Sequence, residues 1–91
     1  MYILAFDIEV SGSSLTRNGI LSIGASLWNE KFEELDYFQR NLLLPEGRTY
    51  EDSCKKNFWD KNLDAAAFVA SNALDPKQVM QEFEKFLNNI Y

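Results

Sequence analysis

Two carboxylate residues, Asp7 and Glu9, stand two positions apart in an apolar run near the start of the chain. Side chains of a strand alternate between faces, so both carboxylates are predicted to project from the same face. At a rise of ~3.3 Å per residue, their Cα atoms would lie about 6–7 Å apart. Two acids in hydrocarbon surroundings are costly unless a cation or hydrogen bonds offset their charge. The pair therefore predicts a divalent metal site; the alternative is an edge strand with solvated acids.

A first strand, predicted over residues 2–10, carries these carboxylates. Its other face is apolar or aromatic throughout, with Tyr2, Leu4, Phe6, Ile8 and Val10. This pattern suits the centre of a sheet, and the neighbouring Ala5, Phe6 and Ile8 predict that the acids are buried. The polar residues 11–19 contain two glycines and predict a loop.

Two further strands are predicted after this loop. The second covers residues 20–28, with Leu21, Ile23, Ala25 and Leu27 on one face and Ile20, Ser22, Gly24 and Ser26 on the other. The second of these faces is small enough to admit a helix or a substrate. A short turn at 29–31 then predicts an antiparallel third strand over about 32–44, with an irregularity within 33–36, where strand formers are weak.

Helices are predicted for the second half of the chain. Thr49 and Asp52 resemble a capping box, so a helix is expected from about residue 50 to 60, burying Phe58 and Trp59. An alanine-rich helix is expected over 63–74. Asp75 and Pro76 form an N-cap followed by proline at the first helical position. Apolar residues then recur at three- and four-residue spacing as far as residue 90, which predicts an amphipathic helix.

Composition limits the class of protein. The chain has 91 residues, 46 % hydrophobic, with a formal net charge of −5, which permits one packed domain and argues against disorder. An acidic chain is a poor non-specific coat for nucleic acid, because phosphate affinity rests mainly on lysine and arginine. Cys54 is the only cysteine, which excludes an internal disulfide and fits a reducing, cytoplasmic location. The sequence shows neither a signal peptide nor an apolar run of membrane-spanning length, so no membrane partner is expected.

A family resemblance is carried by the segment Phe6–Glu9 with Ser11 and Gly12, followed by Ile20–Ala25. These segments resemble the opening of the DEDD-type 3′–5′ exonucleases, which include proofreading subunits of DNA polymerases, ribonuclease T and oligoribonuclease. The resemblance covers essentially the whole chain but only the first half of the family's domain. It implies an α/β, ribonuclease H-like fold, with strands in the order β1-β2-β3 followed by helices, truncated here to residues 1–91.

The resemblance also implies a hydrolase chemistry. Members of the family hold two Mg²⁺ or Mn²⁺ ions and hydrolyse phosphodiesters at the 3′ end of single-stranded RNA or DNA. By motif position, Asp7 would bridge both ions and Glu9 would hold the ion on the nucleophile side. Val10, Ser11 and Gly12 would lie beside the 3′-terminal nucleotide. A homodimer is compatible with the resemblance, since many relatives dimerise.

The sequence departs from the family in its ligand set. Four carboxylates and a histidine or tyrosine serve the family's reaction, whereas this chain offers only Asp7 and Glu9 at matching positions and has no histidine. We therefore expect either an N-terminal fragment of an exonuclease domain with a half-formed metal site or a degenerate, non-catalytic interaction module. The module would bind a partner through the apolar stripe of residues 79–90. A third alternative is a ribonuclease H-like endonuclease that cleaves hybrid duplexes, but the segment Ile20–Ala25 fits the exonucleases better.

Two local alternatives remain open from the sequence. The run Ser11–Ser14 is an ordinary polar turn by its local chemistry, and only its position after Asp7 and Glu9 favours contact with a substrate. Phe58 and Trp59 favour core packing over stacking on a nucleobase, because large aromatic side chains are most often buried.

Overall fold

A computed structural model describes residues 1–90. Its elements are strands β1 (Tyr2–Val10), β2 (Ile20–Asn29) and β3 (Glu34–Asn41), helix α1 (Asp52–Asn57), a 3₁₀ turn (Trp59–Lys61), and helices α2 (Leu63–Ala70) and α3 (Pro76–Asn88). The predicted order of three strands followed by helices is confirmed, and the chain is of the α/β class. None of the helices in this part of the chain is long and apolar enough to cross a membrane.

The three strands form one antiparallel sheet in the order β1-β2-β3, so β2 is central. The register places Asp7 opposite Gly24, and Gly24 opposite Gln39. Two irregularities interrupt the register, one between Glu9 and Val10 and one where β2 leaves β3. At the second, Leu27 pairs with Asp36 and Trp28 with Glu34, so Leu35 is the extra residue. The irregularity predicted within 33–36 is therefore confirmed, although β3 is shorter than the predicted 32–44.

The prediction that β1 occupies the centre of the sheet is wrong for the described residues. β1 pairs only with β2, and its other edge has no partner strand within residues 1–90. Phe6 is 65 % exposed and Ile8 is 43 % exposed, whereas Ile23, opposite Ile8 on β2, is buried. Hydrophobic alternation reports which face of a strand is apolar, but the position of a strand in the sheet depends on pairing between distant segments.

Helix α3 packs on the face of the sheet opposite to the carboxylates. Ile23, Ala25 and Phe38 of the sheet form its core with Val79 and Phe86 of α3. The Phe38 ring lies 5.2 Å from that of Phe83 and 5.5 Å from that of Phe86. The side chain of Asp75 accepts a hydrogen bond from the Gln78 N–H at 3.3 Å, so the predicted N-cap is confirmed. The apolar stripe proposed for partner binding is thus largely used inside this core.

A second core lies on the other face, where Leu21 packs with Trp59 and Val69. The helix predicted over 50–60 is instead the short α1 and a 3₁₀ turn, separated at Phe58. The predicted capping box is wrong: Glu51 is the N-cap residue, and its side chain makes no capping hydrogen bond in the described part of the chain. The reason is tertiary, because the Thr49 carbonyl accepts hydrogen bonds from the loop after β1, which fixes this segment outside the helix.

Candidate functional site

Asp7 and Glu9 lie together on one face of β1, as strand alternation predicts. Both line a cavity of about 250 Å³ between the sheet and the helical segments that cover it. The remaining wall residues come from β2, β3, the 3₁₀ turn with the residue before it, and α2; they are Ser22, Gly24, Gln39, Phe58, Trp59, Ala65, Phe68 and Val69. The cavity therefore combines two carboxylates with small, amide and aromatic groups.

The carboxylates are less buried than the sequence predicts, because β1 is an edge strand. Asp7 is exposed and Glu9 is half-buried. Partial burial raises the pKa of Glu9 above its ordinary value, and the neighbouring charge of Asp7 and a hydrogen bond between the two side chains raise it further. A cation placed between them would relieve the repulsion that raises this pKa.

The loop after β1 is fixed by hydrogen bonds to the segment before α1. Ser11 is fully buried; its hydroxyl donates to the Thr49 carbonyl at 2.9 Å and accepts from the Gly19 N–H at 3.0 Å. The Ser11 carbonyl also accepts from the Glu51 N–H at 2.8 Å. A Cβ on Gly12 would lie 2.5 Å from Asn18 Oδ1 and from Glu51 Cβ, so this close approach requires glycine. The turn is therefore a rigid support for the end of β1.

The residues predicted to contact the 3′-terminal nucleotide are placed differently from the carboxylates. Val10 and Gly12 line a separate, mainly apolar cavity of about 360 Å³ next to α3, whereas the Ser11 side chain is used inside the protein. The Val10 carbonyl accepts a hydrogen bond from Trp59 Nε1 at 3.3 Å. The structure thus gives Ser11 a structural role, and nucleotide contact by these three residues stays a prediction.

A polar network on β2 and β3 was missed by the sequence reasoning. Gln39 Nε2 donates to Ser22 Oγ at 3.0 Å and to Asn41 Oδ1 at 2.8 Å. Asn41 Nδ2 in turn donates to the carbonyls of Phe68 and Ser71. The signal was present in the alternation of Tyr37, Gln39 and Asn41 along β3, which places a polar row on the carboxylate face. This network ties the sheet to the C-terminal end of α2.

The aromatic pair is divided between core and surface. Trp59 is 3 % exposed and belongs to the second core, as predicted. Phe58 is 40 % exposed, so its predicted burial is wrong, although its ring packs edge-on against Trp59 with centroids 4.8 Å apart. Phe68, from α2, is 53 % exposed in the same wall. The cavity therefore has an aromatic rim opposite the carboxylates.

The donor set fits a divalent cation only in part. Mg²⁺ and Mn²⁺ prefer oxygen ligands, which Asp7 and Glu9 supply from adjacent positions on one face. Within residues 1–90, no group of three or more His, Cys, Asp or Glu side chains is arranged to hold a metal ion. Two carboxylates alone predict weak binding, with water completing the coordination.

Comparison with models of protein families, with curated proteins and with solved structures finds no match.

Proposed function

We propose that this chain is the N-terminal part of a ribonuclease H-like, metal-dependent 3′–5′ exonuclease domain. Its substrate would be the 3′ end of single-stranded RNA or DNA, as the DEDD-type resemblance implies. The observation that supports the proposal most directly is the placement of Asp7 and Glu9, which face the same cavity, where partial burial and the charge of Asp7 raise the pKa of Glu9. Acids in such a pair are suited to share a cation.

In this proposal, Asp7 and Glu9 are the residues that hold divalent metal. Bound Mg²⁺ or Mn²⁺ would supply charge neutralisation at a phosphodiester and activation of a water molecule. The acidic net charge of the chain is compatible with this role, because the substrate phosphate would bind to the metal ions and not to a basic protein surface. With two carboxylates, the isolated chain is expected to bind metal weakly and to lack meaningful nuclease activity.

Metal titration tests the proposal. Electron paramagnetic resonance of Mn²⁺ with the purified chain should show weak binding to the wild type, which the double variant Asp7→Asn/Glu9→Gln loses. The matched control is Glu30→Gln/Glu84→Gln, which removes the same charge from two exposed acids outside the cavity. Equal Mn²⁺ binding by the wild type and the double cavity variant would contradict the proposal.

A companion assay addresses activity. We expect no 3′ trimming of a labelled single-stranded oligonucleotide when the chain is incubated with Mn²⁺. Robust trimming that Asp7→Ala abolishes would disprove the inactivity of the isolated chain while supporting the assignment of Asp7. Trimming that survives Asp7→Ala would point to a contaminating nuclease.

The second candidate function is a non-catalytic interaction module, and the edge of β1 favours it. This strand is nine residues long, and Tyr2, Phe6 and Ile8, which lie on the face opposite to the carboxylates, are exposed. Open strand edges of this length pair readily with another strand. The occupant proposed here is a second copy of the chain, with β1 antiparallel to its own symmetry mate about Phe6. Asp7 would then lie opposite Ala5 of the other copy, so like charges would not be directly opposed.

Light scattering coupled to size exclusion tests self-association. The wild type should show dimers at high concentration, and Phe6→Lys on the exposed edge strand should be monomeric. Phe32→Lys is the matched control, because Phe32 is 76 % exposed in the β2–β3 turn. A monomeric wild type at all accessible concentrations would contradict this second function.

A further inference from the structure

The carboxylate cavity has a second polar side that the metal proposal does not use. Asp7, Gly24 and Gln39 form one row across the three strands, with Gly24 in the middle. The Cα atoms of Asp7 and Gln39 are thus separated by two strand spacings, or roughly 10 Å. A Cβ built on Gly24 meets nothing within 4 Å, so the middle of the row is open space. We call this row the trench: it is formed by Asp7, Gly24 and Gln39, with the Asp7 carboxylate at one end and the Gln39 amide at the other.

The Gln39 amide has a defined orientation. Its nitrogen donates both hydrogens, one to Ser22 Oγ and one to Asn41 Oδ1, and Ser22 and Asn41 are themselves buried. Asn41 is anchored in turn by the carbonyls of Phe68 and Ser71 at 2.7 and 2.8 Å. Rotating the amide by a half-turn would place its oxygen against Asn41 Oδ1, which can only accept, so the network fixes which atom is the oxygen.

The amide oxygen is left as an unused acceptor. Gln39 Oε1 accepts no hydrogen bond from residues 1–90, while the residue forms part of the cavity wall. A neutral acceptor pairs with a hydroxyl or amino hydrogen and does not attract a cation as strongly as a carboxylate does. The two ends of the trench therefore differ in chemistry, with a carboxylate at Asp7 and a neutral acceptor at Gln39.

We infer that Gln39 is a specificity-determining residue, whose amide oxygen accepts a hydrogen bond from a hydroxyl or amino group of a nucleotide lying across Gly24. This inference rests on the proposed function, since it takes the phosphate side of the same nucleotide to be held near Asp7 and Glu9. The donor is either the ribose 2′-hydroxyl or an exocyclic amine of the base. Both present the same chemistry to Gln39.

Binding of three short oligonucleotides in the presence of Mn²⁺ separates these donors. The probes are five-nucleotide strands of riboadenosine, of deoxyadenosine, and of deoxyribosyl purine lacking the 6-amino group. Fluorescence anisotropy should show tighter binding of at least one donor-bearing strand, by about three- to ten-fold over the strand that lacks both donors. A preference for the ribose strand identifies the hydroxyl, and an equal preference for both adenosine strands identifies the amine.

Two variants assign the preference to this site. Gln39→Met keeps a long side chain but lacks the amide oxygen, and it should bind all three probes equally. Gly24→Ala fills the trench with a methyl group that touches no neighbour, so the fold is retained while the preference is reduced. Gln81→Met is the matched control, an exposed glutamine on α3 beyond the opposite face, and it should keep the wild-type preference.

The outcomes are distinguishable from those of the metal proposal. If Gln39→Met and Gly24→Ala retain the wild-type ratio among the probes, the inference is overturned even though Mn²⁺ still binds. It is also overturned if the wild type binds Mn²⁺ through Asp7 and Glu9 but binds none of the three probes. Loss of the preference only in the two trench variants, with unchanged Mn²⁺ binding in Gln39→Met, supports it.

Discussion

The face of the sheet under α3 is closed, whereas the face that carries Asp7 and Glu9 is only partly covered. On the α3 face, Val79 is fully buried and two phenylalanine rings, Phe83 and Phe86, pack against Phe38. On the carboxylate face, Trp59 and Val69 cover one end of the sheet, and Phe58 and Phe68 remain substantially exposed. One face is a continuous apolar core, and the other has a cavity whose wall combines carboxylate and amide groups with aromatic rings.

This difference indicates that the two faces contribute unequally to stability. Burial of apolar surface is the main favourable term in folding, so most of it should come from the α3 face. The carboxylate face keeps groups whose burial is costly, namely two acids and an amide network. A site of this kind is stable only when the opposite face supplies enough packing energy. The following substitutions test that division.

The largest effect is expected for truncation of a phenylalanine on the closed face. Phe86→Ala should reduce the free energy of unfolding by about 3–5 kcal/mol, because it removes a buried ring and leaves a cavity. Phe68→Ala makes the same change on the open face, where the ring is 53 % exposed, and should cost less than half as much. Urea unfolding followed by circular dichroism measures both. Equal losses of unfolding free energy in Phe86→Ala and Phe68→Ala would show that the two faces contribute equally to stability.

An intermediate effect is expected at the loop that ends β1. Ser11→Ala should cost about 1–3 kcal/mol, because the Gly19 N–H loses the buried Ser11 hydroxyl that accepts its hydrogen bond. Ser13→Ala, two residues away, removes an exposed hydroxyl whose one partner within residues 1–90 is Glu51, and it should change stability by less than about 0.5 kcal/mol. Thermal unfolding of both variants gives the comparison. A neutral Ser11→Ala would show that the loop does not support the carboxylate strand.

The smallest effect is expected from the charge of Glu9, and it depends on pH. Because the folded-state pKa of Glu9 lies above its ordinary 4.5, the folded chain binds this proton more tightly than the unfolded chain. The resulting stabilisation is present below the ordinary pKa and is lost as the pH rises through the raised value. Glu9→Gln should therefore be more stable than the wild type at pH 7, and the advantage should shrink at pH 4.

Glu84→Gln is the control for that comparison, since it removes one exposed negative charge from α3. Unfolding in urea at the two pH values measures all three proteins. A pH-independent difference between Glu9→Gln and the wild type would show that the raised pKa of Glu9, caused by burial and by the charge of Asp7, does not affect folding. Addition of Mn²⁺ should stabilise the wild type but not Glu9→Gln, because ligands that bind only the folded state raise its stability.

Local patterns predicted the parts of the fold that depend on neighbouring residues. Alternation along residues 2–10 separated the carboxylates from the apolar side chains, and the Asp75-Pro76 pair located the start of α3. The capping box at Thr49 failed because the Thr49 carbonyl is held by Ser11 and Asn18, which are more than thirty residues away in sequence. Hydrogen bonds to residues distant in sequence override the local capping signal, and a short stretch of sequence around Thr49 does not include those residues.

The sequence by itself determined that Asp7 and Glu9 share a face, because the two-residue period of a strand is a property of the backbone. Only the tertiary structure decided that β1 is an edge strand, that Phe58 is exposed while Trp59 is buried, and that Gln39 faces Asp7 across Gly24. These features depend on which strands pair and in which register. Pairing and register follow from contacts between distant segments, so no local period contains them.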